Sequence, residues 1–192
     1  QYELFREYAL GNFRDLLIEV SRDPAMVAWL DGDTNVRAKP QENYARELME
    51  LFTLGIGNYT EDDVRESARA FTGFKVRGQE EFIFKARQHD TDVKTFLGQT
   101  GNWDGDDVVD IITSQPVAAE YIARRLWEFF AYPDPEPAIV ARLAQVYREG
   151  YNLEAVLLRD PRYGHGGVQP SAVRQDHFFV FARHSDCPFF TC

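Results

Sequence analysis

The chain has 192 residues, 44% of them hydrophobic and 27% charged, with 15 Phe and 9 Tyr. That composition fits one globular domain with its own core and excludes a disordered polymer. The formal net charge is -10 and the longest basic element is Arg124–Arg125, so no basic face for nucleic acid is available.

In chain order, residues 2–22 read as helix in two pieces, broken near Gly11. Asn12 caps the second piece and Phe13, Leu16, Leu17 and Val20 share one face. Asp23 and Pro24 open a short helix that stops before Gly32, and residues 31–40 form a polar loop. The next helix runs from about Gln41 to Leu54, with Gly55 as its cap. Thr60 and Asp63 then start a helix, in capping-box spacing, that ends at Gly73. At Phe74 the period changes. Phe74 and Val76, then Phe82 and Phe84, alternate around Gly78 and predict a β-hairpin at about 74–86.

A long polar segment follows, 85–107, and a structureless stretch of that length in a compact domain is usually functional or disordered. "GNWDGDD" reads as a turn and helix cap, and three further helical patterns continue to about residue 160, with Ser114 capping the one that begins near Pro116. The predicted fold is mainly α, an irregular multi-helix bundle with a small hairpin insertion. It divides into a helical domain, 1–163, and an atypical tail, 164–192. The tail holds His165, His177, His184 and both cysteines, Cys187 and Cys192, with "HFFVFA" as a short strand. Nothing in it has the spacing of a metal site or a disulfide framework. No apolar run is long enough to span a membrane, and no signal peptide is visible. The chain opens on Gln1, directly in helical pattern, which places the true start upstream.

The helix "QENYARELMELFTLG" carries the most informative charges. On a wheel of about 100° per residue its apolar residues cover roughly 220°, so most of its circumference is buried. Glu42, Arg46 and Thr53 fall in the polar strip, and Asn43, Glu47 and Glu50 crowd its edge. Glu47 lies between Leu51 and Leu54 on the wheel and is expected to be partly buried. It then needs a partner, because desolvating a lone ion costs several kcal/mol. An Arg from another element is one answer. The other is a polar pocket where Glu47 and Glu50 act as acid and base or hold a metal.

In the loop "QHDTDVKTFLG", His89, Asp90, Asp92 and Lys94 gather a neutral-pH base, carboxylates and an amine. Asp31, Asp33, Asn35 and Glu42 match positions one, three, five and twelve of a calcium loop. Val36 replaces its required glycine and Pro40 interrupts it, so coincidence is the better reading. No Glu-x-x-His, His-Glu-x-x-His, Gly-x-Ser-x-Gly or dinucleotide fingerprint occurs.

The blocks "GNFRDLLIEVSRDPAMVAWLDGDTN", "QENYARELMELFTLGIGNYTEDDVRESARAFTGF" and "RQHDTDVKTFLGQTGNWDGDDVVDIITSQPVAAEYIARRLWEFFA" closely resemble the bacterial domain-of-unknown-function 1800 family, over about residues 2–163. The matching positions are Asn43, Arg46, Glu47, Glu50, Thr53, Gly55, Arg69, Thr72, Gly73, His89, Asp90, Lys94, Thr95, Gly98, Gly101 and Arg124. The resemblance implies a helical fold, a longer protein with an upstream Trp/His-rich segment, and export to the periplasm or beyond. It also implies a partner from the uncharacterised 1501 family, whose genes often lie alongside. It names no reaction, metal or cofactor. Many relatives carry His where this chain has Phe52 and Trp where it has Phe74.

Two functions follow as expectations. In the first, an enzyme-like domain joins Glu47 and Glu50 to His89 and Asp90 as catalytic groups, with Asn43, Arg46, Lys94 and Arg124 binding substrate, for hydrolytic or metal-assisted chemistry. In the second, a non-catalytic scaffold binds the partner, and Arg46, Glu47, Arg69 and Arg124 form a buried ion-pair network.

Overall fold

The computed structural model describes residues 1–78 and 80–158. The expected tail, 164–192, lies outside these. Among the described residues nine α-helices alternate with two small antiparallel hairpins. Helices α1 (Tyr2–Tyr8), α2 (Phe13–Arg22) and α3 (Pro24–Trp29) come first, followed by a 3-10 turn at Gly32–Thr34. Next are α4 (Asn43–Glu47), which runs into a π-helical turn at Leu48–Thr53, and α5 (Glu61–Ala70). Strands β1 (Phe74–Arg77) and β2 (Glu81–Phe84), then β3 (Lys94–Phe96) and β4 (Gln99–Gly101), precede α6 (Gly105–Thr113). The last helices are α7 (Pro116–Phe130), α8 (Pro137–Arg148) and α9 (Leu153–Leu158). No helix is long and apolar enough to cross a membrane.

Local chemistry sets the helix starts. Asn12 accepts from the backbone of Arg14 and Asp15, and Asp23 does the same for Ala25 and Met26 with Pro24 in the first turn. Thr60 with Asp63, and Asp104 with Asp107, form complete capping boxes. One expected cap fails. Ser114 donates instead to the carbonyl of Ile111 at 2.8 Å, and Gln115 begins α7 without a side-chain cap. Pro116 needs no capping partner, having no N–H to satisfy.

The core lies between α2, the π turn, α5, α6, α7 and α8. Leu48, Met49, Val64, Ala68, Val108, Ile112 and Tyr147 are fully enclosed. Ala118, Ala119 and Ala123 line the buried side of α7, where small side chains let neighbouring backbones approach. Edge-to-face rings at 4.9, 5.6 and 5.0 Å run from Tyr44 through Phe71 and Phe74 to Phe82, tying α4 to the first hairpin.

Two differences from the sequence reading have physical causes. The segment 85–107 is not structureless. Lys94 pairs with Gly101 and Phe96 with Gln99, around Leu97 and Gly98 at φ of 45° and 77°. Two positive φ values in a two-residue loop are the hallmark of a type I′ hairpin. The second difference is in the charged helix. Leu54 N–H bonds to Met49 O, five residues back, at 2.8 Å. A π turn holds one more residue than an α turn, so the 100° wheel fails beyond Glu47. Thr53, placed in the polar strip by the wheel, is 0% exposed, and Leu51, placed inside, is 37% exposed.

Candidate functional site

Arg46 is fully engaged. It donates to Glu42 at 3.1 Å and holds Glu61 at the start of α5 with two bonds of 2.8 Å. These bonds, opposed by slight burial, raise the guanidinium further above its already high range. Asn43 donates to Asp31 at 2.5 Å.

Glu47 differs. It is half-buried, and no hydrogen bond or ion pair reaches it among the described residues. Burial raises its pKa and the nearby Glu50 charge adds to this, with Arg46 acting against both. Glu50, one π turn on, accepts from the Tyr59 hydroxyl at 2.8 Å. Burial and that bond push Tyr59 up to about 12. Tyr121 of α7 closes the other side. Its hydroxyl donates to Leu51 O at 2.9 Å, and burial raises its pKa, with Glu50 among the charges it feels. Gly55, at φ +76°, lets that ring lie flat on the backbone: a Cβ there would stand 3.0 Å from two ring carbons.

A second cluster surrounds Arg69 at the other end of α5. Arg69 holds Glu66 at 2.8 and 3.0 Å and grips both oxygens of Asp90 at 2.8 and 3.3 Å. Burial pushes Asp90 up, but the Arg69 bonds, the Asp92 N–H and nearby cations outweigh it and hold the carboxyl below its ordinary range. The Thr72 hydroxyl accepts from the Asp90 N–H at 2.7 Å, and the Thr72 carbonyl accepts from His89 Nδ1 at 2.9 Å. That bond fixes the tautomer with the proton on Nδ1. Lys94 is 1% exposed, and its ammonium donates to the carbonyls of Asp90 and Asp92 at 2.7 and 3.0 Å. Desolvation lowers its pKa. Glu66 and Asp63 accept from the backbone of Thr95 and Leu97, which docks the second hairpin on α5.

The residues singled out in the sequence therefore fall into two groups. Asn43, Arg46, Glu47 and Glu50 belong to the α4–π surface, and His89, Asp90 and Lys94 to the loop beyond Arg69. Glu61 and Arg69, their respective anchors on α5, are eight residues apart, or about 12 Å along the axis. Among the described residues no hydrogen bond or ion pair links the groups. Arg124 is half-buried on α7, which also packs against the π turn. Phe52 is half-buried against the core. Tyr59, Tyr121, Glu61 and Glu66 went unrecognised in the sequence. Glu61 and Glu66 looked like ordinary helix-surface charges, and nothing local marks Tyr121 as a neighbour of Leu51.

The calcium-loop spacing has a different use. Asp31 accepts from Asn43, Asp33 from Val76 N, and Glu42 from Arg46. Asn35 is buried, donating to Ala68 O and accepting from Gln41 N. The four side chains point to four different partners and knit the loop to α5 and β1. Among the described residues no group of three or more His, Cys, Asp or Glu converges on a metal position.

No curated protein and no solved structure matches the chain. The profile of one family, described as "Protein of unknown function (DUF1800)", matches residues 1–159, and the chain belongs to that family.

Proposed function

We propose that the α4–π surface is an enzyme-like acid–base site, with hydrolytic chemistry as its class and Glu47 as the proton-transfer group. The observation that carries this reading is the unpaired, half-buried Glu47 carboxylate beside Glu50 on a π turn. A carboxylic acid raised by burial and a like charge is suited to exchange protons near neutral pH. Glu50, held by Tyr59, would keep that pressure constant, and π turns recur at functional positions. Asn43 and Arg124 are the proposed substrate contacts nearest this surface. His89, Asp90 and Lys94 would shape the loop rather than react, since Asp90 and Lys94 spend their polar groups within the protein. Export to the bacterial cell envelope is part of the same proposal.

A second reading, the non-catalytic scaffold for a partner of the 1501 family, draws on the Arg69–Glu66–Asp90 network. Such networks perturb pKa values without catalysis. Hydrolysis of chromogenic esters, glycosides and peptides by the full chain and by Glu47→Gln separates the readings. The enzyme reading expects a rate that falls at least about 100-fold in Glu47→Gln with unchanged circular dichroism. Equal rates in the two proteins would end it and leave the scaffold.

A further inference from the structure

The same face of the molecule presents apolar surface that the proposed chemistry does not need. Ile56 is 81% exposed, and Leu51 is exposed beside it. Tyr121 bridges the two, bonded to Leu51 O and lying flat on Gly55. Gly55 and Gly57, at φ of +76° and +87°, flank Ile56 with backbone that side chains other than glycine rarely adopt. Asn58 fixes the turn by donating to Leu54 O at 2.9 Å. A branched aliphatic side chain held outward on a braced turn gains nothing from folding, so its use lies in contact with something else.

Charge says what that is. Around the turn, Arg46 is the one cation among Glu42, Glu47, Glu50 and Glu61, and it is already committed to Glu42 and Glu61. On α7, Arg125 is answered by Glu128 at 3.9 Å. Even with Arg124 counted, the face keeps an acidic excess, in a chain of net charge -10. A second copy would bring the same acidic face against itself, which disfavours pairing through it.

We propose that this face docks a basic polypeptide segment, with an apolar side chain seated on Leu51, Tyr121 and Ile56 and Lys or Arg side chains beside Glu47 and Glu50. The docking does not require proton transfer at Glu47, so either proposal can fail alone. The test is fluorescence anisotropy of the full chain with a short labelled lysine–leucine peptide and a glutamate–leucine peptide of equal length. The lysine peptide should bind, more weakly as salt rises, and Ile56→Ser should weaken it about tenfold or more, the worth of one buried aliphatic group. Glu47→Gln with Glu50→Gln should weaken binding and flatten its salt dependence. Val93→Ser, at an equally exposed apolar position elsewhere, should leave it unchanged. The proposal is overturned by no binding, by equal binding of the two peptides, or by equal effects of Ile56→Ser and Val93→Ser. Sedimentation showing a dimer that Ile56→Ser dissolves would also overturn it, because a second copy would then be the occupant.

Discussion

Replacing Asp90 with Ala tests whether the Arg69 cluster holds the loop. The carboxylate accepts from Arg69 at both oxygens and from the Asp92 N–H at 2.9 Å, and the side chain is 7% exposed. Breaking a buried ion pair costs about 3–5 kcal/mol. Arg69 keeps Glu66 and is itself 22% exposed, which reduces that figure, whereas the lost Asp92 bond adds about 1 kcal/mol. The expected destabilisation is about 2–3 kcal/mol. In urea unfolding followed by circular dichroism, the midpoint should fall by about 1–2 M with an unchanged slope. Amide exchange over residues 86–101 should accelerate beyond the global change, since the pair anchors that segment. A loss below about 0.5 kcal/mol would mean the bonds are surface decoration, and the account of the second cluster would be wrong. The pH dependence has a definite sign. A carboxyl lowered by folding stabilises above its unfolded pKa and loses that stabilisation as pH falls through the folded value. The Asp90→Ala penalty should therefore shrink in acid, below about pH 4.

Glu47 has the opposite sign. Its pKa is raised on folding, so the charged form is disfavoured in the native state, and Glu47→Gln should raise the neutral-pH unfolding midpoint while leaving it nearly unchanged in acid. Phe96→Ala should cost about 3–5 kcal/mol by urea titration, because that ring is fully enclosed and is the main apolar anchor of the second hairpin. Gly55→Ala should lose about 1–2 kcal/mol, from the left-handed backbone and the approach of Tyr121; near-ultraviolet circular dichroism should report the displaced ring.

What could be read ahead was whatever is decided within a few residues. Asn12, Asp23, Thr60 with Asp63, and Asp104 are capping groups whose partners lie two or three positions on, and each caps as expected. The first hairpin showed itself because Phe74 and Val76 alternate against Phe82 and Phe84. The second did not, since three-residue strands with Phe96 as their main buried ring give no usable period. The charged helix misled because the wheel assumes a constant twist, and the extra residue of a π turn leaves no mark in composition. At the site, the residue types were visible but their grouping was not. Asp90 meets Arg69 across 21 positions, and Tyr121 meets Leu51 across 70, distances at which only the fold chooses partners.

The π turn also has a consequence for how this surface changes with chain length. It stores one surplus residue between Leu48 and Thr53, and losing that residue would let the backbone relax to the ordinary spacing. Everything after the deletion would rotate by about a quarter turn relative to Glu47. Leu51 would swing toward the interior, the latch to Tyr121 would part, and Ile56 would be carried off its perch. A single-codon deletion would thus redraw the whole face while leaving every remaining side chain chemically intact. The surface is specified by length as much as by residue identity.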